Sequence, residues 1–178
     1  MSRLSLSRTS WAVLVAVCAA AAAWVIFRPE LAFIDRRVDE PFPAAQEAHL
    51  ITEPSPAPTP TPLLRGEFTS LAHETLGTAT VYEIPGGRRV LRLTGFRTSN
   101  GPDVRVYLVK AAEADDDAVR TAGIIDLGSM KGNVGDQTYE IPAGVDLDSH
   151  RSVSIWCARF GVNFGKAALS TAPVPQGG

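Results

Sequence analysis

Hydrophobic residues are distributed along this chain in two different ways. Residues 11–27 form one unbroken apolar run, whereas from residue 64 to residue 169 the apolar residues come in short runs separated by glycine-containing segments. In the short runs, apolar and polar positions alternate or β-branched residues dominate. Both patterns are typical of strands, because successive side chains of a strand point to opposite faces. The clearest strand-like runs are residues 78–84, 88–94, 104–108, 152–157 and 162–168.

Turn signals between these runs favour an antiparallel arrangement. The region 64–169 holds 13 of the 15 glycines, and residues 85–87 read Pro-Gly-Gly between two runs at hairpin distance. Glycine at this density indicates many tight turns. Helical periodicity is weak and confined to residues 111–122. We therefore predict an all-β domain over 64–169, an antiparallel sandwich or barrel of roughly seven to ten short strands.

The apolar run at residues 11–27 predicts a membrane segment. Its 17 residues contain no charged side chain. As a helix they would extend ~25 Å, against ~30 Å for a hydrocarbon core. As a signal anchor, the run would be a single transmembrane helix in the cell membrane, with residues 1–10 in the cytoplasm and the β domain on the extracytoplasmic side. The alternative is a signal peptide cut within the alanines at 19–23, which would leave a secreted domain.

Between the apolar run and the β domain, residues 28–63 read as a juxtamembrane and proline-rich linker. Residues 41–62 carry seven of the 13 prolines, and proline occupies every second position from 54 to 62. Such a segment favours the extended polyproline II conformation, so we expect a semi-rigid spacer that holds the domain away from the membrane. The last residues, 170–178, read as a disordered tail.

Composition narrows the classes of function. The chain has 17 basic and 19 acidic residues, for a formal charge of -2, which lacks the basic excess of a nucleic-acid-binding protein. Two cysteines cannot form the disulfide framework of a small secreted scaffold. The sequence contains neither a Gly-x-Ser-x-Gly nor a phosphate-binding motif, so hydrolase and nucleotide-dependent activities are not indicated and an enzyme is not expected.

Cys157 is the first candidate for chemistry, since it is the only cysteine within 64–169. The alternation in residues 152–157 places it with Val153 and Ile155 on the core face of a strand. Two interpretations stay open, a buried inert thiol and a functional thiol. His73 is the second candidate. It is either a hydrogen-bonded turn residue or, with Cys157, half of a thiolate–imidazole pair suited to haem iron or copper.

A turn sequence is the third candidate. In it we expect glycine to supply a positive φ, proline to fix the next residue, and the aspartate to tie down backbone N–H groups at the start of a strand. The turn consists of Asn100, Gly101, Pro102 and Asp103.

Many segments of the region 65–169 match the sequence pattern of one domain family. Two of them, the Asn-Gly-Pro-Asp turn and the Trp-Cys pair at 156–157, are together specific for that family. On these residues the chain resembles the DM-thirteen domain family, also called the electron-transfer DM-thirteen family. The matching segments are residues 66–68, 73, 77–81, 91–93, 96–103, 106–108, 126–128, 131–133, 135–136, 139–142, 153–157 and 160–165.

The resemblance implies an all-β extracytoplasmic domain with a proposed redox role. The role would centre on Cys157, as a free thiol or as a ligand to a prosthetic group such as haem, with His73 as a second ligand. Trp156 and Tyr139 would be nearby aromatic residues. No cytochrome segment accompanies the domain, so the electron donors and acceptors would be separate redox proteins.

Two functions from different classes follow. The first is a membrane-tethered electron-transfer module that contacts the bilayer through residues 11–27 and uses Cys157 for redox chemistry. The second is a cell-surface binding or adhesion sandwich, in which the 100–103 turn and its neighbours contact a ligand and Cys157 only fills the core.

Overall fold

A computed structural model of the chain describes residues 8–27, 34–43 and 60–173. Within these residues there are ten strands and two helices. The strands are β1 Thr61–Glu67, β2 Thr69–Ser70, β3 Leu76–Ile84, β4 Arg88–Arg97, β5 Val104–Val109, β6 Ile124–Ser129, β7 Val134–Ile141, β8 Ser152–Cys157, β9 Val162–Ala168 and β10 Ser170–Thr171. The helices are α1 Arg8–Phe27 and α2 Asp116–Thr121.

The strands form two five-stranded sheets that pack face to face. Sheet A has the order β10-β1-β3-β4-β7, and sheet B has the order β2-β9-β8-β5-β6. Every pair of neighbouring strands is antiparallel. The prediction of an all-β antiparallel fold is confirmed, and the open sandwich, rather than the barrel, is the form it takes.

The core lies between the sheets because alternate positions of the central strands are apolar. On sheet A, Val81 and Leu91 are fully buried, and on sheet B, Val106 and Ile155 are fully buried opposite them. Each such side chain contributes ~1.5–3 kcal/mol of transfer free energy. The strand-like runs of the sequence therefore correspond to the strands that build this core.

Sheet B is covered on its outer face as well. The segment that contains α2 buries Trp156 and Tyr107 in a second, smaller apolar cluster with Val119. Helix α2 begins at a cap in which the Asp115 carboxylate accepts a hydrogen bond from the N–H of Ala118 at 2.8 Å. The weak helical period at residues 111–122 thus corresponds to a helix of six residues.

The strand connections define two ends of the sandwich. The 98–103 connection joins the end of β4 to the start of β5, and residues 130–133 join β6 to β7 at the same end. Strand β8 also finishes there, at Cys157, before the turn that leads into β9. We call this the Cys157 end. The turn at residues 85–87 lies at the opposite end, where the α2 segment also leaves β5 and enters β6.

Residues 34–43, which we call the strap, extend sheet A beyond β7. The N–H of Val38 donates to the carbonyl of Val134 at 2.9 Å, and the N–H of Glu40 donates to the carbonyl of Asp136 at 2.9 Å. The bridge between Arg37 and Val134 is parallel. The strap thus covers an edge that would otherwise expose unpaired backbone groups.

Two glycines make this approach possible. A Cβ at Gly135 would lie 2.3 Å from the carbonyl oxygen of Val38, and a Cβ at Gly132 would lie 2.4 Å from the carbonyl oxygen of Arg36. Any side chain at these positions would push the strap off β7. The partly exposed ion pair between Lys131 and Glu40 at 2.7 Å adds only ~0–1 kcal/mol, so backbone contact holds the strap more than charge does.

The described residues on either side of the proline-rich segment lie against sheet A, and the spacer itself stays a prediction, because residues 44–59 lie outside the described residues. At the end of the strap, the ring of Phe42 packs edge-on against Tyr82 at 5.0 Å between centroids. Beyond the proline-rich segment, Pro62 of β1 pairs with the same Tyr82. Residues 44–59 lie outside the described part of the chain, but both of their flanks are fixed beside one residue of β3.

The sheet also extends beyond the bounds expected from sequence. It begins at Thr61, within the predicted linker, and ends at Thr171, within the predicted tail. Thr171 pairs with Leu64 of β1, and the N–H of Ala172 donates to the carbonyl of Leu63 at 3.0 Å. The remaining residues of the tail, 174–178, lie outside the described residues.

The N-terminal apolar run forms α1, as expected of its composition. Measured against the length and hydropathy that a bilayer crossing requires, none of the helices in the described residues qualifies. The structure therefore confirms a helix in this segment and does not support its assignment as a transmembrane span. Residues 1–7 and 28–33, which belong to the predicted cytoplasmic and juxtamembrane segments, lie outside the described residues.

The close approach of the strap predicts different costs for two similar substitutions. Gly135 and Gly128 both have positive φ, 106° and 112°, but only Gly135 faces the strap, while a Cβ at Gly128 meets nothing within 4 Å. Alanine at either site should cost roughly 1–3 kcal/mol of backbone strain. Gly135→Ala should cost about 2 kcal/mol more, since strap hydrogen bonds worth ~0.5–1.5 kcal/mol each are lost. Urea unfolding of the full chain measures both, and equal losses would contradict the docked strap.

Candidate functional site

Cys157 is the last residue of β8 and is fully buried, with none of its surface exposed. It pairs with Val104 of β5 on one side and Val162 of β9 on the other. Its side chain belongs to the main core together with Val153 and Ile155. The alternation of the sequence therefore predicted the direction of this side chain correctly.

The 100–103 turn forms a roof over the thiol. A Cβ at Gly101 would lie 2.8 Å from Cγ2 of Val104, 3.2 Å from Cζ of Phe164 and 3.7 Å from Sγ of Cys157. Gly101 is absent from the glycines with positive φ, so the expectation that it supplies such a φ was wrong. Glycine is required here because the turn lies too close to the core to leave room for a side chain.

The turn is fixed at both of its ends. The N–H of Ala158 donates to the carbonyl of Asp103 at 2.8 Å, which joins the turn to the residue after Cys157. The Asp103 carboxylate accepts from Nε of Arg105 at 3.0 Å, and the same guanidinium donates to Asp126 at 2.8 Å. Hydrogen bonds to Asp126 and Asp103 raise the pKa of Arg105. In these contacts Asp103 pairs with a cation, not with the backbone N–H groups expected of it.

His73 is joined to Cys157 through Phe164. The ring of His73 lies 4.0 Å from the ring of Phe164, between centroids. The backbone N–H of His73 donates to the carbonyl of Phe164 at 3.2 Å. Cζ of Phe164 and Sγ of Cys157 both lie close to the point that a Cβ at Gly101 would occupy, at 3.2 Å and 3.7 Å. The imidazole and the thiol thus share an aromatic neighbour.

This arrangement does not fit haem held between His73 and Cys157. The thiol is fully buried under the turn, with none of its surface exposed to an incoming iron atom, and it packs among apolar side chains of the main core. Among the described residues there is also no group of three or more metal-ligating side chains. A structural metal site, which needs about four ligands, is therefore not indicated in this part of the chain.

Trp156 lies on the opposite face of β8 from Cys157. The guanidinium of Arg120 covers its ring at 5.2 Å and donates to the carbonyl of Gly161 at 2.7 Å. A cation over an aromatic face contributes ~0.5–1 kcal/mol at exposed sites. Trp156 is therefore adjacent to Cys157 along the chain, while the strand separates their side chains.

Tyr139 lies in the other sheet. Its hydroxyl donates to Oε1 of Gln137 at 2.8 Å and accepts from the N–H of Lys131 at 3.1 Å. Burial raises the pKa of Tyr139 to about 12, partly offset by the hydrogen bond from Lys131. Tyr139 thus belongs to the same main core as Cys157, while its hydroxyl joins the polar groups of Gln137 and Lys131.

A cavity of about 390 Å³ lies between the strap and the turn. Ile34, Asp35, Gly101 and Met130 are among the residues that line it. On the strap side, Asn100 donates from Nδ2 to the carbonyl of Ile34. Of the predicted turn residues, Asn100 therefore contacts the strap and Gly101 contacts the core.

The side chain of Asn133 forms hydrogen bonds both to the strap and to the connection between β4 and β5. It is almost fully buried. Its Oδ1 accepts from the N–H of Arg36 at 2.6 Å, and its Nδ2 donates to Asp35 at 2.7 Å and to the carbonyl of Thr98 at 3.1 Å. A buried amide left without these partners would cost ~1–3 kcal/mol, so Asn133 specifies the position of the strap.

Glu40 fixes the other half of the strap. Its carboxylate accepts from Nζ of Lys131 at 2.7 Å and from the N–H of Thr138 at 2.8 Å. Burial acts to raise the pKa of Glu40, but the hydrogen bonds from Lys131 and Thr138 and the charge of Lys131 outweigh it, so the pKa is lowered. The strap is therefore most strongly held above the ordinary pKa of a glutamate and loosens as the pH falls below it.

Sequence reasoning missed Val104, Phe164 and Asn133. Val104 and Phe164 occupy core positions of predicted strands, and nothing in their spacing marks them as neighbours of Gly101. Asn133 falls in a glycine-rich connection, where an amide reads as a turn residue. A buried amide within a turn can be recognised only when its partner, here a strap 97 residues away in sequence, is placed.

Comparison with known proteins gives one match. A family model described as Electron transfer DM13 matches residues 67–169, which include the turn, His73 and Cys157. No curated protein matches the chain, and no solved structure matches it.

The roof over Cys157 predicts how the thiol reacts. Gly101→Ala should force the turn away from Val104 and Phe164, because overpacking costs ~1–3 kcal/mol, and so raise the rate of Cys157 with a maleimide about tenfold or more. The measurement uses a Cys18→Ser background to leave one thiol. Gly144→Ala is the control, since it has a φ of 84° and a Cβ there meets nothing within 4 Å. An equal rise in both variants would mean that the thiol reacts only through global unfolding.

Proposed function

Since the chain belongs to the electron transfer DM13 family, we propose that its folded domain exchanges electrons with separate redox proteins and that Cys157 is the group that reacts. The observation that carries this proposal is the position of the thiol. It is the only cysteine within the matched residues 67–169, and it lies directly beneath Gly101.

The chemistry available to Cys157 is that of a redox thiol. With a disulfide of a partner protein as the oxidant, the sulfur of Cys157 loses its proton to solvent and bonds to one sulfur of the disulfide. The other sulfur leaves as a thiolate, so the cysteine is oxidised and the partner is reduced. The alternative role as a ligand to a prosthetic group is disfavoured, because the sulfur of Cys157 is fully buried among apolar side chains.

The roof sets the condition for this reaction. A disulfide cannot reach a thiol that is fully buried under Gly101. The turn therefore has to move for electrons to be exchanged, and its attachments to Ala158 and to the strap at Ile34 oppose that movement. Closure slows the reaction of the thiol with any disulfide, so the exchange proceeds only as fast as the turn opens.

A second candidate function is a binding or adhesion domain at the cell surface. The complete burial of Cys157 among apolar residues favours it, because a thiol in such a position acts as a small hydrophobic side chain. The ligand would then occupy the cavity between the strap and the 100–103 turn. In this case Cys157→Ser would leave function intact and lower stability by ~1–3 kcal/mol through a poorly satisfied buried hydroxyl.

We also propose that α1 tethers the domain to the membrane, with the domain on the extracytoplasmic side. The support is the absence of charge from residues 11–27 and the exposure of large apolar side chains of α1, among them Trp11, Leu14 and Trp24. Such a helix is unfavourable in water and favourable in a bilayer or its interface. Cleavage within residues 19–23 would instead release the domain as a secreted protein.

Electron exchange at Cys157 is tested with the full chain in glutathione buffers of varied redox potential. We expect a reversible mixed disulfide on Cys157, detected by mass spectrometry. Cys157→Ser should abolish it, and the matched Cys18→Ser variant should keep it. If Cys157 stays unmodified in the folded protein at every potential, the redox proposal is wrong and the binding function takes its place.

The tether is tested by extracting cell membranes that contain the full chain with alkaline carbonate. We expect the chain to stay with the membranes, with Met1 retained, and replacement of Val15 and Ala21 by arginine to release it, because each charge in the apolar run costs ~2.5–3.5 kcal/mol. A chain that is released unchanged, or that begins after residue 19, would contradict the tether.

A further inference from the structure

We propose that the Cys157 end of the sandwich rests on the bilayer that holds α1, through a rim of exposed apolar side chains. The inference depends on the tether proposed above and adds the orientation of the domain. The rim consists of four residues with exposed apolar side chains. They are Ile34 (58% exposed), Leu71 (43%), Leu76 (47%) and Phe160 (58%).

The topology brings these four residues to one end. Leu76 begins β3 and pairs with Arg97, the last residue of β4. Phe160 lies in the turn between β8 and β9, and the N–H of Leu71 donates to the carbonyl of Phe164 near the start of β9. The carbonyl of Ile34 accepts from Asn100 in the turn over Cys157. All four are therefore at the Cys157 end, although they come from four separate segments.

The distribution of exposed apolar residues is one-sided. Outside α1, the described residues include five large apolar side chains that are exposed, and four of them form the rim. The fifth, Ile124, is 39% exposed and lies at the opposite end, where it pairs with Val109. Exposed apolar residues scattered singly are normal, whereas several at one end of a domain indicate a contact surface.

The length of the connection to α1 identifies the bilayer as the partner. Helix α1 ends at Phe27 and the strap begins at Ile34, with six residues between them. Even fully extended, this connection spans at most ~25 Å. The strap is hydrogen-bonded to β7, so the short connection reaches the Cys157 end first. The proline-rich segment adds no distance, because it follows the strap in the chain.

The charges around the rim are mixed. Arg97 lies with Asp35 and Glu74 around one small depression. A rim with charges of both signs has no strong preference for anionic lipid. Insertion of the apolar side chains, not net charge, would hold this end against the membrane. Docking of this kind places the roof over Cys157 at the membrane surface, where a membrane-bound redox partner can reach it.

The test compares two spin labels on the full chain in phosphatidylcholine vesicles. One label is attached at Phe160→Cys in the rim, and the matched control at Ile124→Cys, both in a background with Cys18→Ser and Cys157→Ser, so that each protein has one thiol. Collision rates with a water-soluble nickel chelate and with oxygen are measured by power saturation. We expect about fivefold less collision with the chelate at position 160 than at position 124, because side chains inserted ~5–10 Å into an interface lose contact with water.

Three outcomes would overturn the proposal. Equal collision rates at the two positions mean that the Cys157 end faces water. Protection at 160 that comes with spin–spin broadening, and that disappears on dilution with unlabelled chain, means that a second copy covers the rim. A separate label on native Cys18 that collides freely with the chelate means that the tether itself has failed. If the label at Cys18 is protected from the chelate while the label at position 160 is exposed to it, the proposed orientation is wrong but the tether is supported.

Discussion

The contact that organises this protein is the approach of the strap to the edge of β7, which two glycines allow. Gly132 and Gly135 leave the backbone of β7 and the preceding connection open, so that the carbonyls of Arg36 and Val38 lie where side chains would otherwise be. From this contact follow the path of residues 34–43 along sheet A and the position of the cavity beside the 100–103 turn. It also protects an edge strand from pairing with other chains.

The second constraint is the close packing of the 100–103 turn on the core. Gly101 brings the turn within contact of Val104, Phe164 and Cys157, so the thiol is sealed by a backbone segment and not by a bulky side chain. A lid made of backbone can open by a change in a few torsion angles without unpacking the sheets. The strap holds one side of this lid through Asn100 and Asn133. The strap and the turn over Cys157 are therefore joined by hydrogen bonds.

The sequence predicted the features that depend on local alternation. The strands, the antiparallel arrangement and the inward direction of Cys157 all follow from a period of two, since Val153, Ile155 and Cys157 must share a face. These features depend on residues that are close in sequence. The two-sheet packing then follows from the need to bury one face of each sheet.

The features that the sequence did not predict depend on distant residues. The strap reads as a charged, proline-flanked linker, and its partner Asn133 is 97 positions away. Gly101 reads as a turn glycine. The sequence gives no sign that Val104, Phe164 and Cys157 leave no room for a side chain at this position. Proline at alternate positions predicts an extended segment, but it gives no sign that Phe42 and Pro62 both lie beside Tyr82. In each case the pattern indicates the local conformation, and the tertiary contact decides what the conformation is used for.

Amide hydrogen exchange of the full chain tests the docked strap most directly. The account predicts that the N–H groups of Val38 and Glu40, which donate to carbonyls of β7, exchange slowly, within about tenfold of the amides of the central strand β4. Exchange of these two amides at the rate of an unstructured peptide, with β4 still protected, would contradict the account. The strap would then be a free linker, and the orientation of the Cys157 end would lose its basis.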